Sequence, residues 1–234
     1  GLVAYYPFDG NASDMSGNGN HGTPKNGVVL GADRHGGEGK AYSLQGTGYV
    51  QVSDHDSLDI GSTESLTVSA WIKATGNNRQ MILTKENSTT IHGRYPSYFL
   101  NLHESGNPAG FVAQDRTPLQ TVVYHDASNL TDGQWYHLTG VLDKANSMSL
   151  LYVNGQPVGS TTQALSFSNG QSSAMTNANL ASLENDGDLF IGRRSGGSPL
   201  NLNGSIDEVR IYDRALSAVE EAALYQLENT PPNQ

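Results

Sequence analysis

Oxygen-bearing side chains and glycines are concentrated in one segment that directly follows the first apolar stretch of the sequence. This segment reads DGNASDMSGNGNHG and runs from Asp9 to Gly22. Short Asp, Asn and Ser side chains, together with backbone carbonyl groups, are the ligands that a hard cation such as Ca²⁺ prefers. The spacing differs from an EF-hand, because Asp14 stands where that motif needs glycine and Asn20 where it needs glutamate. The loop therefore predicts a calcium site that residues elsewhere in the chain must complete.

A second group of side chains has the chemistry of sugar recognition. The segment Glu86–Asp126 contains two arginines, three tyrosines and three histidines in an otherwise acidic chain. Aromatic rings stack on the C–H faces of sugars, and guanidinium groups match carboxylates and sulfates. Another cationic pair, Arg193-Arg194, is expected at the same rim. The predicted carbohydrate-binding residues are Arg94, Tyr95, Arg116 and His125. The alternative for each of them is an ordinary exposed position.

The composition excludes several classes of function. The chain of 234 residues has 13 Lys and Arg against 23 Asp and Glu, a net charge of -10. This charge disfavours nucleic acid and anionic membranes as partners, since both attract positive fields. With no cysteine, disulfides, thiolate metal sites and a cysteine nucleophile are excluded. Because no apolar run is long enough to span a membrane, membrane insertion is not expected.

The pattern of apolar residues predicts an all-β fold. Twelve short runs rich in β-branched and aromatic residues alternate with Gly, Asn, Asp and Ser, as in antiparallel sandwiches. Asn154-Gly155 predicts a tight hairpin turn, and Ser217 with Glu220 predicts the capped start of one short C-terminal helix. The segment 166–185 lacks periodicity and predicts a long surface loop. We expect one domain over residues 1–227 and an interdomain linker from residue 228 to residue 234.

Several motifs in order along the chain resemble the laminin-G-like, concanavalin A-like jelly-roll domains of bacterial secreted enzymes and surface proteins. They include LVAYYPFDGNASDMSGNGNHG, SLTVSAWIK, GQWYHLTGVLD, LLYVNGQPVGS and GSIDEVRIYDRALSAVEE, and they span nearly all of residues 2–225. The resemblance implies two curved antiparallel sheets, with sugar bound on the concave face or its rim loops. It also implies a structural calcium ion that bridges the two ends of the chain.

The resemblance places Asp207 of the last strand at the calcium ion. Asp9, Asn11 and Asp207 are then the expected side-chain ligands, and Asn20 and His21 are expected to add carbonyl or amide oxygens. The alternative is a metal-free loop in which glycine and asparagine only form turns and Asp207 pairs with Arg210 or Arg214. We also interpret Trp71 and Trp135 as packing residues, because family members carry tryptophan at both places whatever they bind.

No enzyme motif is complete in the sequence. A glycosidase needs two carboxylates at a fixed separation, and the acidic residues are scattered over turns and the terminal strand. A polysaccharide lyase is the alternative, with His125 and Tyr124, or His92 and Tyr95, as base and acid. Neighbouring residues of a regular strand point to opposite faces, which disfavours the pair Tyr124 and His125.

The sequence thus predicts a non-catalytic, calcium-stabilised carbohydrate-binding or adhesive module of a larger secreted bacterial protein. Its expected partners are a polysaccharide, including an anionic glycan, and other domains of the same chain. The isolated module is expected to be a monomer. A protein-binding or spacer role stays open, because laminin-G-like folds also bind proteins.

Overall fold

The computed structural model of the protein describes residues 1–86, 96–103, 109–114, 119–124, 129–168, 171–176, 180–195 and 200–231. Short strands dominate this part of the chain, and one α-helix follows the last of them. The strands are β1 (Leu2–Tyr6), β2 (Gly22–Lys25), β3 (Val29–Gly31), β4 (Ala41–Ser43), β5 (Tyr49–Val52), β6 (Leu66–Thr75), β7 (Gln80–Glu86), β8 (Pro96–Leu102), β9 (Ala109–Gln114), β10 (Leu119–Tyr124), β11 (Asp132–Asp143), β12 (Met148–Val153), β13 (Gln156–Thr161), β14 (Gln163–Ser168), β15 (Gln171–Thr176), β16 (Leu189–Ile191) and β17 (Gly204–Tyr212). The helix is α1 (Ala218–Asn229), and a single 3₁₀ turn covers Asp56–Leu58.

The described strands form two sheets, which confirms the predicted all-β sandwich with a short C-terminal helix. The eight-stranded sheet has the order β13-β12-β11-β6-β17-β4-β3, with β1 also paired to β17. The nine-stranded sheet has the order β15-β14-β10-β9-β8-β7-β16-β5-β2. Every described pairing is antiparallel. The apolar faces of the two sheets meet in one core, as expected when each sheet alternates buried and outward residues.

Alternation along β6 shows how the sequence positions this core. Leu66, Val68, Ala70 and Ile72 are fully buried between the sheets. Trp71 points to the opposite face, where it is also buried. In the paired strand β11, Gly140 makes room for Phe111 of the other sheet, because a Cβ at this position would lie 2.2 Å from the phenylalanine ring.

Turn chemistry was predicted correctly at one hairpin and missed at another. Asn154 and Gly155 have φ values of 50° and 72° and join β12 to β13, as a two-residue turn of positive φ requires. The predicted long loop over 166–185 is wrong in its first half, because Gln163–Ser168 and Gln171–Thr176 form the hairpin β14–β15 at the end of the nine-stranded sheet. Such an end strand can form through backbone hydrogen bonds alone, without the apolar alternation that identifies strands in a sequence.

The two ends of the described chain meet at β17. This strand pairs with β1 on one side and with β6 on the other. A bulge interrupts the register between Asp207 and Arg210, and Glu208 has a positive φ of 51°. Ile206 and Val209 both point into the core. The two residues between them, Asp207 and Glu208, are therefore free to reach toward β1 and α1.

Helix α1 packs on the outer face of the eight-stranded sheet through a buried polar network. Its start has the predicted capping box of Ser217 and Glu220. Near its end, Glu228 is buried and accepts a hydrogen bond of 2.7 Å from the indole Nε1 of Trp71. The same carboxylate lies 3.4 Å from the imidazole Nε2 of His137 and forms an ion pair with Arg210. The helix is thus attached to β6, β11 and β17 by one side chain.

Replacing this carboxylate should detach the end of α1. Glu228→Ala leaves the buried Trp71 donor without its acceptor and the Arg210 guanidinium with only Glu208 as a carboxylate partner, so we expect a loss of about 3–5 kcal/mol in the free energy of unfolding. Gln226→Ala, on the exposed side of the same helix, should change it by less than about 0.5 kcal/mol. Urea unfolding of both variants measures the difference, and equal effects would contradict the role given to Glu228.

Candidate functional site

The opening loop between β1 and β2 is organised by Asp14. Its carboxylate accepts hydrogen bonds of 2.9 Å from the backbone N–H groups of Tyr5, Ser16 and Asn20, and another from the Ser16 hydroxyl. Burial alone would raise the pKa of the Asp14 carboxyl, but these donors outweigh it and the pKa lies below its usual value. The backbone N–H of Asp14 in turn donates to Nδ1 of His21 at 3.0 Å. The Asp14 carboxylate therefore holds the two ends of the loop together through hydrogen bonds.

Three of the predicted calcium ligands have side chains that form hydrogen bonds to other protein groups. Asn11 Oδ1 accepts the backbone N–H of Ser13 at 2.8 Å, as in an Asx turn. Asn20 is buried, and its amide donates to the carbonyl of Val3 and to the hydroxyl of Ser57. His21 uses Nδ1 as described above. These contacts leave the ligand roles of Asn11, Asn20 and His21 as predictions.

Asp9 and Asp207 line the same cavity, which has a volume of about 410 Å³. The cavity lies where β1, β17, the segment before β4 and the end of α1 meet. Asp9 is half-exposed and lies 3.2 Å from the ammonium of Lys40. Asp207 is buried and forms an ion pair of 2.8 Å with Arg34. The pairing of Asp207 with Arg210 or Arg214, which the sequence left open, is replaced by this contact.

The charge around Asp207 is negative in excess. Five carboxylates line the cavity against three permanently charged cations. Burial raises the pKa of Asp207 to about 8, and the neighbouring Glu208 carboxylate adds to the rise while Arg34 opposes it. Such surroundings suit a further positive charge, and carboxylate oxygens are the preferred ligands of Ca²⁺.

The cavity fits a calcium ion by its chemistry and only in part by its geometry. Among the described residues, no three Asp, Glu or His side chains are already close enough to hold a metal ion together. Asp9 and Asp207, with Asp33 and Glu208 beside them, would supply the carboxylate oxygens. To bind the ion, Asp9 would have to leave Lys40, and Asp207 would have to share its charge with Arg34. The calcium ion and its five ligands stay a prediction.

A second candidate site is a row of residues on the outer face of the nine-stranded sheet. Direct cross-strand pairing joins its members one after another, from β5 to β10. We call this set the outer row, and it consists of Gln51, Phe190, Thr84, Phe99, Val112 and Val122. At about 4.8 Å per strand, its five steps span about 24 Å. Thr84, Phe99 and Val112 are buried in this row, whereas Gln51, Phe190 and Val122 are half-buried.

Aromatic rings lie at one end of the outer row. Phe190 and Tyr49 are both half-buried, with ring centroids 6.0 Å apart. The guanidinium of Arg193 lies 4.4 Å from the centroid of Tyr49. Arg194 is engaged differently, because it binds the buried carboxylate of Glu86 through two nitrogens at 3.0–3.1 Å. Of the two arginines, Arg193 therefore belongs to the aromatic end.

Buried polar atoms without partners lie in the middle of the same face. Asn101 is fully buried beside Met81, and neither atom of its amide has a hydrogen-bond partner. The hydroxyl of Thr84 in the outer row is also buried and unpartnered. Nε of Arg79 is unpartnered as well, and its guanidinium lies 5.6 Å from the ring centroid of Phe99. Unsatisfied groups of this kind are uncommon in folded proteins and mark places where an external partner could bind.

The four predicted carbohydrate-binding residues lie outside the described part of the chain. They are Arg94, Tyr95, Arg116 and His125. The structure brings Arg193, which the sequence analysis named as a second cationic spot, to the aromatic end of the outer row. Trp71 packs under α1, as interpreted from the sequence. Sequence reasoning missed Tyr49, Phe190 and Asn101, although each stands at an outward position beside a core residue of its strand.

A comparison with protein-family models covers most of the sandwich. A family model described as the concanavalin A-like lectin/glucanases superfamily, of the laminin G type, matches residues 44–220. The chain belongs to this superfamily. Among curated proteins, none matches the sequence significantly.

Several solved structures of low sequence identity share the fold. The binding domain of Paraclostridial Mosquitocidal Protein 1 superposes with a TM-score of 0.74 at 18% identity, over 97% of this chain and 52% of that one. The botulinum neurotoxin serotype G binding domain gives 0.66 at 14%, over 97% and 51%. Domain 4 of AbnA, an extracellular arabinanase of Geobacillus stearothermophilus solved with arabinotriose, gives 0.62 at 21%, over 96% and 98%. The chain thus spans about half of each toxin domain and nearly all of the arabinanase domain.

The described helices are too short or too polar to traverse a bilayer.

The role of Asp14 can be tested against a neighbour in the same loop. Asp14→Ala removes the acceptor of four hydrogen bonds, and we expect it to lower the free energy of unfolding by about 2–4 kcal/mol. Asn11→Ala removes one exposed hydrogen bond and should cost less than about 1 kcal/mol. Urea unfolding at neutral pH gives both values, and a smaller effect at Asp14 than at Asn11 would contradict this account.

The predicted calcium ion is tested by chelation. We expect EDTA to lower the Tm and added Ca²⁺ to restore it, since a ligand bound only by the folded state stabilises that state. Asp9→Asn should weaken the response, while Asp56→Asn removes an equal charge at an exposed position away from the cavity and should preserve it. Differential scanning calorimetry measures all three proteins, and an unchanged Tm in EDTA would rule out a structural calcium ion.

Proposed function

We propose that the protein is a non-catalytic carbohydrate-binding module of a larger secreted protein and that it binds a polysaccharide along the outer row. The observation that carries this proposal is the sheet face around the outer row, where a half-buried aromatic pair and unpartnered polar groups lie along about 24 Å. Extended glycans are recognised through stacking on aromatic faces and through hydrogen bonds to hydroxyl groups. Both kinds of group lie on one sheet face here.

The chemistry at each end of the outer row supports a division of roles. Tyr49 and Phe190 offer ring faces for a sugar, and Arg193 beside them can donate to hydroxyl, carboxylate or sulfate oxygens. In the middle, the amide of Asn101 has a donor and an acceptor for two hydroxyl groups, and it reaches them only if the side chains that bury it move aside. Arg79 adds a second guanidinium beside Phe99. Two cations on this face of a chain with a net charge of -10 favour an anionic glycan as one class of ligand.

The comparisons support a binding role at the level of the family. Domain 4 of AbnA was solved with arabinotriose, and it matches this chain over almost its entire length. The toxin structures are also described as binding domains. We extend to this chain an extracellular location, a place within a multidomain protein and calcium at the Asp9 and Asp207 cavity. Each of these is a proposal with its own test.

A glycan panel distinguishes this proposal from the lyase and protein-binding alternatives. Affinity electrophoresis of the protein in neutral and acidic polysaccharides, including arabinan and a polyuronate, should show retardation in at least one gel. The same mixtures are then monitored for ultraviolet absorption of an unsaturated uronate. Retardation without absorption is expected, absorption would support a lyase, and the absence of both would contradict a carbohydrate-related function.

The aromatic end of the outer row should contribute directly to affinity. Tyr49→Ala removes a ring face and the partner of Arg193, and we expect binding to weaken about tenfold or more. Tyr136→Ala removes a half-buried tyrosine from the eight-stranded sheet and should leave affinity unchanged. Titration calorimetry with the retarding glycan compares the variants, and equal affinities would place the ligand elsewhere.

The unpartnered hydroxyl of Thr84 gives a test that separates binding from stability. Thr84→Val removes a buried group that lacks a partner, so the free energy of unfolding should rise by about 1 kcal/mol while glycan affinity falls. Ser69→Ala removes a buried, unpartnered hydroxyl from the other sheet and should raise stability without changing affinity. If both variants keep full affinity, the middle of the outer row does not contact the glycan.

A further inference from the structure

The ammonium group of Lys85 is enclosed by oxygen atoms at one end of the sandwich. The residue is fully buried in β7. Its Nζ donates to the backbone carbonyls of Asn185 and Gly187 at 3.0 and 2.7 Å. It also forms ion pairs with the carboxylates of Asp54 and Asp59, the latter at 3.3 Å. We call these four oxygens the Lys85 cage.

The Lys85 cage has the composition of a metal site. Two carboxylate and two carbonyl oxygens from separate chain segments are typical ligands of Ca²⁺, which prefers oxygen and tolerates irregular geometry. An ammonium differs from such an ion in having one positive charge and three N–H donors. With two carboxylates and one ammonium, the Lys85 cage keeps one negative charge, whereas a divalent cation in place of the ammonium would balance both carboxylates.

The Lys85 cage lies just beyond the paired ends of β5 and β16 and joins the segments that adjoin them. Asp54 and Asp59 flank the 3₁₀ turn, and the two carbonyls belong to the segment that precedes β16. Lys144 makes a second connection between the same regions, because its ammonium donates to the carbonyls of Ser62 and Ala181 at 2.9 and 3.0 Å. Buried lysines of this kind stabilise a fold only while their partners remain in place.

We propose that the Lys85 cage is a cation site filled by the protein's own ammonium, and that shortening this side chain converts it into a Ca²⁺ site. The lysine stem enters through β7, and its charge takes the position that an ion would occupy between the two segments. In the native chain the cage therefore binds no divalent metal. With alanine at position 85, the oxygens of Asp54, Asp59, Asn185 and Gly187 face a space that a hydrated cation can enter.

The first test compares Lys85→Ala and Lys85→Met in the Asp9→Asn background, so that calcium at the Asp9 and Asp207 cavity does not contribute. In EDTA both variants should melt well below the parent, because two carboxylates lose their partner. Each tenfold increase in Ca²⁺ above its Kd should then raise the Tm of Lys85→Ala by about 3–6 °C. Lys85→Met should respond much less, because its side chain fills the space without supplying a charge.

Two further variants identify the site of any response. Asp54→Asn combined with Lys85→Ala removes one carboxylate of the Lys85 cage and should reduce the Ca²⁺-dependent rise in Tm by at least half. Lys144→Ala opens a neighbouring site whose described oxygens are uncharged carbonyls, so Ca²⁺ should raise its Tm less than that of Lys85→Ala.

The possible outcomes decide the proposal. A Ca²⁺-dependent rise confined to Lys85→Ala and reduced by Asp54→Asn supports it. No response of Lys85→Ala, or an equal response of the Asp9→Asn parent, overturns it. If Lys85→Ala is unfolded in EDTA, refolding from urea at increasing Ca²⁺ is measured by circular dichroism, and failure to regain structure at any concentration overturns it as well. These readouts require no glycan, so they are independent of the proposed function.

Discussion

The pairing of β17 with β6 and β1 holds together the parts of the protein that lie far apart in the sequence. β17 is the last strand of the chain, yet it lies in the interior of the eight-stranded sheet and pairs with β1 as well. Its bulge then sends Asp207 and Glu208 away from the core, toward the opening loop and the end of α1. The cavity that contains Asp9 and Asp207 exists because of this bulge. With regular alternation, one of the two side chains between Ile206 and Val209 would have pointed into the core.

Buried cations form a second layer of organisation in this acidic protein. Arg34 binds Asp207, Arg210 binds Glu228, and Lys85 binds Asp54 and Asp59. Each contact joins side chains from different strands, helices or loops. Burying a charge costs several kcal/mol of desolvation, so each ion pair adds little to the free energy of unfolding. Its main effect is to hold two segments in a fixed arrangement. These pairs fix the loops and the helix against the sheets.

The sequence predicted what repeats along a strand and missed what depends on distant partners. Alternation of apolar residues identified β6, and the Asn154-Gly155 dipeptide identified the hairpin of β12 and β13. Both signals are local in the sequence. The hairpin β14–β15 has no such signal, since its pairing depends on the neighbouring strand β10. The opening loop was recognised by its composition. Its central residue, Asp14, was not, because three of its donors are backbone groups that carry no mark in the sequence.

Dependence on distant partners also explains why the sequence analysis did not identify the candidate binding face. Tyr49 and Phe190 are about 140 positions apart in the chain, and only the pairing of β5 with β16 brings them together. Asn101 gives no signal as one residue of an alternating strand, and it becomes informative when its amide is seen to be buried without a partner.

The placement of α1 also bears on which sheet the proposed function can use. The helix covers the outer face of β6, β11 and β17, and it uses Trp71, the tryptophan that a sugar site would otherwise favour, for its own attachment. An aromatic ring that donates its only N–H to Glu228 and stacks at 5.7 Å on Tyr225 offers no free face to a ligand. The proposed function therefore uses the nine-stranded sheet, whose aromatic pair is half-buried rather than covered by the helix. One face of the sandwich holds the helix, and the opposite face is the one on which we propose that a glycan binds.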